Sequence, residues 1–177
     1  VMEAVTRKAT RLARADHALI GEAAEGRIRW LAASGCPLVP EGPPISRELP
    51  SGRAILDCQT TQVEDVTELT EDFPGVRRAF DEFGVRTILA TPLVREGLSI
   101  GVLLVRRTTL RPFTGKEIEL LKTFADQAVI AIENVRLFTE LQEKNRALTE
   151  AHAQVTESLE QQTATAEILR VIAGSPT

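Results

Sequence analysis

Few side chains in this sequence have the type and spacing for chemistry. Cys36 and Cys58 are the two cysteines, with no metal-ligand spacing and no third partner. They read as reduced thiols, small and apolar, rather than as a disulfide staple. Of the two histidines, His17 opens a short apolar run, and His152 is followed by Ala153-Gln154 rather than by the acidic residue that usually follows a phospho-accepting histidine. The remaining candidates are basic and hydroxylic. Arg53, Arg77, Arg78, Arg86, Thr87 and Thr91 can orient a small polar or anionic ligand if the fold gathers them round a cavity. Arg86 leads this group because it starts an otherwise apolar stretch. The competing reading makes the arginines solvated or salt-bridged surface.

These residues sit in a chain of 177, which allows one ordinary domain with an appendage or two very small domains. Apolar residues at 43% and charged ones at 26% permit a packed core and argue against wholesale disorder. Tyrosine is absent, so that core must rest on Leu, Ile, Val and Ala. The net charge of −4 falls on one part: fifteen basic and fifteen acidic residues cancel over 1–113, whereas 114–177 carry six and ten. Neither part has a basic patch with aromatic platforms, which argues against nucleic acid. No apolar run approaches the ~20 residues of a membrane-spanning helix, and no signal peptide opens the chain. A cytoplasmic location is the expectation. The chain also reads as a fragment, opening at Val1 inside a helical pattern and closing on Gly174-Ser175-Pro176-Thr177, a helix end followed by the start of a linker to a further domain.

Periodicity supplies the elements. Val1, Val5, Ala9 and Leu12 form the stripe of an amphipathic helix. His17–Ala23 and Arg27–Ala33 flank Glu25-Gly26 as a hairpin. Gly35–Pro50, rich in proline, predicts a long surface loop. Ser51 is placed to cap a short helix running to Cys58, and Thr61–Val66 reads as a strand. After Asp72-Phe73-Pro74-Gly75, the residues Val76, Phe80 and Phe83 share a helical face that Gly84 ends. Val85–Val94 and Leu98–Arg106 around Glu96-Gly97 are the strongest hairpin, apolar on both alternations, so both faces of the sheet should be covered. From Lys116 to Ala173 there is neither Gly nor Pro, and Thr114 with Glu117 makes a capping box. One helix over that span would be roughly 90 Å long, so most of it is expected to project from the domain. The order predicts an α+β fold, an antiparallel sheet between helical layers.

Several blocks then resemble a known family. Gly52-Arg53-Ala54-Ile55-Leu56-Asp57, Arg86-Thr87-Ile88-Leu89-Ala90-Thr91-Pro92-Leu93 and Gly101-Val102-Leu103-Leu104-Val105-Arg106-Arg107 resemble the ordered blocks of GAF domains. Arg111-Pro112-Phe113-Thr114, with the run from Leu121 to Asn134, is similar to GAF modules of bacterial sensor histidine kinases and nucleotide cyclases. The stretch from Gln161 to Ile172 looks like the linker between successive domains of such two-component signalling proteins. The resemblance implies a non-catalytic sensory domain, with any kinase or cyclase activity residing elsewhere.

The cofactors of that family are not supported here. Cyclic-nucleotide-binding members carry an Asn-Lys pair, then Phe, then Asp-Glu; this chain has Arg106-Arg107, Phe113 and Glu117-Ile118. Two arginines could still meet a phosphate. Bilin-carrying members use a cysteine often beside a histidine, but Cys36 precedes Pro37 and Cys58 precedes Gln59. Haem needs an axial histidine, and His17 reads as an ordinary polar residue at a strand start. A methionine-sulfoxide reductase built on this fold needs an attacking and a resolving cysteine. Nothing in the sequence marks Cys36 or Cys58 as a low-pKa thiolate. No cofactor and no metal is expected.

The long helix is the most informative segment. Phe138, Leu141, Asn145, Leu148, His152, Val155, Leu159, Gln162, Ala166 and Leu169 alternate in steps of three and four, an unbroken heptad seam. Glu143, Glu150 and Glu157 recur on the outer face. Earlier apolar positions, Leu121, Ala125, Ala128, Ile132 and Val135, hold their own phase, which slips near Val135. The expected organisation is a sensory domain over 1–137, a coiled-coil signalling helix over 138–173 and a linker start at 174–177. The expected assembly is a homodimer through the helices. A ligand-free dimerisation spacer is the competing class.

Overall fold

The computed structural model describes residues 1–68, 73 and 75–173, except the side chains of 78–80 and 171–173. The linker expected at 174–177 and the Arg78 and Phe80 side chains lie outside the described residues. The chain divides into two compact units, Val1–Ile132 and Glu133–Thr177.

The first unit is built on a six-stranded antiparallel sheet. In chain order its elements are α1 (Met2–Leu12), β1 (His17–Ala24), β2 (Arg27–Ser34), β3 (Glu41–Pro44), α2 (Pro50–Asp57), β4 (Thr61–Val63), α3 (Val76–Phe83), β5 (Thr87–Arg95), β6 (Leu98–Arg107) and the start of α4 (Gly115–Ala173). The strands lie in the order β3-β2-β1-β6-β5-β4. Both expected hairpins form. Their turns need left-handed backbone at both central residues, Glu25 (φ 50°) with Gly26 (φ 73°) and Glu96 (φ 51°) with Gly97 (φ 82°).

Alternation along β5 and β6 splits the core in two. Leu89, Leu93, Leu103 and Val105 face one side, where Val5 and Ala9 of α1 and Leu121, Phe124, Ala125 and Ala128 of α4 cover them. Ile88, Ala90, Val102 and Leu104 face the other, against Ala54 and Ile55 of α2, Val76 of α3 and the loop residues Val66, Phe73 and Val85. Each fully buried Leu or Val contributes about 1.5–3 kcal/mol, so a two-sided sheet roughly doubles what its strands can bury.

The structure differs from expectation in four places. Within the α1 stripe Val5 and Ala9 are buried, but Val1 and Leu12 are exposed. The proline-rich segment is not all loop: β3 pairs with β2 as an edge strand, where Pro43 and Pro44 are tolerated because one side needs no ladder donors. Gly42 permits this, since a Cβ there would lie 2.7 Å from the Trp30 indole nitrogen and 2.4 Å from the Ile28 carbonyl oxygen. Ser51 does not cap α2; Leu49 holds the cap position without a side-chain bond, and Pro50 opens the helix with its preset φ. Finally, β4 is shorter than expected, ending at Val63.

The capping box at α4 is present. The Thr114 amide donates to Glu117 Oε2 (2.9 Å), and the Glu117 amide donates to Thr114 Oγ1 (3.3 Å). In the second unit, residues 133–173 continue as helix, and every described side chain of the 138–169 seam is exposed. No helix among the described residues is long and apolar enough to cross a membrane.

Candidate functional site

The pocket-side face of the sheet carries a cavity of about 500 Å³. Leu19 of β1, Trp30 of β2, Ile88 of β5 and Leu104 of β6 form its apolar floor, all placed there by the period of two. Cys36, Pro37 and Val39 from the segment before β3, Leu49 and Pro50 from the start of α2, and Val76 and Phe83 from α3 close round it. Its charged lining residues are Arg106, Arg27, Glu41 and Glu82. Arg27, Glu41 and Glu82 are exposed, whereas Arg106 is 9% exposed.

Arg106 extends the Val102-Leu104 alternation by one more step, which turns its guanidinium onto the cavity face. Its Nη2 lies 3.5 Å from Cys36 Sγ, and its guanidinium carbon lies 5.4 Å from the Phe83 ring centre. Burial lowers the Arg106 pKa, against the opposing influence of Cys36. His17 pairs with Arg106 across β1 and β6 and meets Phe83 edge-on, with ring centres 6.2 Å apart. Burial lowers the His17 pKa, Arg106 lowers it further, and Asp16 opposes both.

Arg107 points to the opposite face and is 1% exposed. Its guanidinium donates to the carbonyl oxygens of Ala13, Arg14 (3.3 Å), Arg111 (2.7 Å) and Pro112 (3.1 Å), and to Glu117 Oε1 (2.8 Å). It also stacks on Phe113 at 3.8 Å. This arginine ties the end of β6 to the segments flanking α1 and α4, and all its donors are engaged. Both arginines are buried, on opposite faces of the sheet.

Of the six residues singled out from sequence, the five with described side chains do not line this cavity. Arg86 stands just before β5, where its Nη2 and Nε donate to the two carboxylate oxygens of Asp65 (2.8 and 3.3 Å). Asp65 also accepts from the Thr67 amide and hydroxyl, and the Arg86 guanidinium first, then the Thr67 bonds, hold its carboxyl well below the usual range. Arg77 is exposed and faces Asp81 at 3.5 Å. Arg53 lies over the Phe73 ring at 4.1 Å. Thr87 is buried and donates to the Glu64 carbonyl oxygen (2.9 Å), tying the start of β5 to the segment after β4. Thr91 lines a second cavity of about 510 Å³, with Cys58, Gln59, Thr60, Lys122 and Asp126. The two cysteines thus line different cavities. Reading the strand period through to its last residue would have put Arg106 in the candidate set.

The GAF domain family model matches residues 1–132. No curated protein matches the chain in sequence. Solved structures share the fold. The GAF-B domain of DevS from Mycobacterium smegmatis is 24% identical, with a TM-score of 0.60, covering 79% of this chain and 96% of that one. Residues 122 to 287 of a methyl-accepting chemotaxis protein are 23% identical, with a TM-score of 0.65 over 78% and 90%. The GAF domain of a phosphoenolpyruvate-protein phosphotransferase from Coxiella burnetii is 16% identical, with a TM-score of 0.70 over 78% and 84%.

Proposed function

This chain belongs to the GAF domain family, a family of sensory and regulatory rather than catalytic modules, and we propose from that premise that it senses a small ligand and relays its state through a dimeric coiled coil. The sensory part is 1–137, and the relay is the helix over 138–173. The module works in the cytoplasm as part of a longer signalling protein of the two-component kind, and passes its state to an output domain.

The observation that carries this reading is the exposed seam. Phe138, Leu141, Leu148, Val155, Leu159 and Leu169 are between 57% and 69% exposed in the single chain, and all six fall on one heptad register. An exposed apolar stripe of that length marks an interaction surface. A second copy of the same helix is its self-complementary partner, since knobs and holes of one register match themselves. Burying one such Leu or Val contributes about 1.5–3 kcal/mol before ordering entropy is subtracted. Asn145, His152 and Gln162 on the seam keep the gain modest, which suits a coil that must hold two arrangements of similar energy. A parallel pairing brings the two Asn145 side chains together and delivers both helix ends to the same side.

Sedimentation of the whole chain against a version ending at Val135 tests this. The whole chain is expected to be a dimer and the shortened one a monomer. Monomer for both would overturn the proposal, as would an antiparallel pairing that separates the Asn145 residues.

A further inference from the structure

Arg106 and Arg107 are adjacent on one strand and both are buried, yet the fold engages them differently. Arg107 has five oxygen acceptors, including a carboxylate. Arg106 has a thiol sulfur at 3.5 Å and an aromatic face at 5.4 Å. Its Nε has no hydrogen-bond partner, and no carboxylate among the described residues pairs with it. Taking a guanidinium out of water without a counter-charge is costly, and arginine does not escape the cost by giving up its proton. The buried Nδ1 of His17, its neighbour across the sheet, also has no partner. Two orphaned nitrogen atoms therefore lie at one end of the cavity-bearing face.

The cavity supplies what the guanidinium lacks. Its volume of about 500 Å³ suits a small organic molecule. Leu19, Trp30, Ile88 and Leu104 offer an apolar bed beside the charge. Glu41 and Glu82 also line it and are exposed, whereas Arg106 is buried. Arg27 is exposed too, and its Nη2 already donates to the Gly42 carbonyl oxygen (2.9 Å).

We propose that Arg106 anchors a carboxylate: the cavity takes an organic monoanion whose carboxylate pairs with the Arg106 guanidinium and whose apolar body lies against Trp30, Leu19, Ile88 and Leu104. This rests on reading the cavity as the sensory site. A single buried cation balances a single negative charge, and the planar fork of a guanidinium matches the two oxygens of a carboxylate. A phosphate dianion would remain half neutralised on an apolar bed.

Trp30 is the single tryptophan of the chain and lines the cavity, so its emission reports occupancy directly. The full chain is titrated with phenylacetate, phenylacetamide and inorganic phosphate. Phenylacetate is expected to bind at least about tenfold more tightly than its uncharged isostere, as the loss of a charged hydrogen-bonded partner implies. Arg106→Gln should remove that preference while phenylacetamide still binds, and Arg86→Gln, remote from the cavity lining, should keep it. Should Arg106→Gln fail to fold, the wild-type Arg106 Nε–H resonance decides, being expected to move with phenylacetate and not with phenylacetamide. Equal binding of acid and amide, or an unmoved resonance, would overturn the carboxylate anchor and leave the cavity a ligand site. Tighter binding of phosphate than of phenylacetate would overturn it in favour of a phosphate. Binding of none of the three would overturn both the anchor and the sensory reading of the cavity.

Discussion

At the scale of single residues, the contrast between Arg106 and Arg107 sets the expectations. Arg107 is a structural tie. Replacing it by leucine leaves Glu117 with only Arg111 and Thr114 as partners and strands the carbonyls of Ala13 and Pro112. Breaking a buried charged network of this kind costs about 3–5 kcal/mol. Urea unfolding of Arg107→Leu should show a loss of unfolding free energy of that size, and a loss below about 1 kcal/mol would show that the network contributes little. His17 sets a pH dependence. Its native pKa lies below the ordinary 6.5, so between those two values the unfolded chain binds more protons than the folded one. Stability is therefore full above about pH 6.5, falls as the pH drops towards the lowered native value and levels off beneath it. His17→Gln should flatten that part of a stability-against-pH curve measured by urea unfolding; an unchanged slope would assign it to other groups. At this scale the sequence was least legible. The block carrying Arg86 was visible, but its carboxylate partner Asp65 lies 21 residues away in the chain, and only the fold brings the two together. Arg106 was weighed as part of a phosphate-type pair because its neighbour is also an arginine. That pairing dissolves once the strand period sends adjacent side chains to opposite faces.

At the scale of elements, legibility followed the strength of the local signal. The two hairpins, the capping box and the long helix were readable because each rests on contacts within a few residues: left-handed turn residues, Thr114 with Glu117, and an uninterrupted helical run. The edge strand Glu41–Pro44 was not readable, because four residues with two prolines become a strand only when β2 offers its ladder. The same distinction runs through α4. Leu121, Phe124, Ala125 and Ala128 are buried in the core of the first unit, whereas the seam residues of the second are exposed. On that register Thr149, Thr156 and Thr163 flank the seam, and each hydroxyl donates to the carbonyl four residues back, at Asn145 (2.9 Å), His152 (2.9 Å) and Leu159 (2.8 Å). Between 138 and 169 the described ion pairs are Lys144 with Glu140 and Arg146 with Glu150. On such a seam a polar residue can set the register. Asn145→Leu is expected to strengthen the dimer by about 1.5 kcal/mol or more per chain while admitting other registers or higher oligomers. Sedimentation at several concentrations would show both effects, and a variant that dimerises no better would take Asn145 off the seam.

At the scale of the whole molecule, the decisive quantity is the coupling between cavity and coil. The sequence distinguished a sensor from a ligand-free spacer only by family resemblance, because a coupling free energy belongs to two conformational states and leaves no local pattern in one chain. Thermodynamic linkage makes it measurable without knowing the path. If the dimer and the isolated first unit differ in affinity for a cavity ligand, the ligand must change the dimerisation constant in return. With one such ligand site per chain, saturating ligand multiplies that constant by the square of the affinity ratio. Typical coupling of 1–3 kcal/mol corresponds to roughly 5–150-fold in affinity. Phenylacetate affinity would be read from Trp30 emission in the whole chain and in the version ending at Val135, and the dimerisation constant by sedimentation with and without the ligand. A relay requires the two affinities to differ by at least about fivefold, with the dimerisation constant moving by the square of that factor in the matching direction. Equal affinities with an unmoved dimerisation constant would make the helix a spacer that joins two copies regardless of what the cavity holds. Unequal affinities with an unmoved constant would violate linkage, and would mean that truncation had altered the first unit itself.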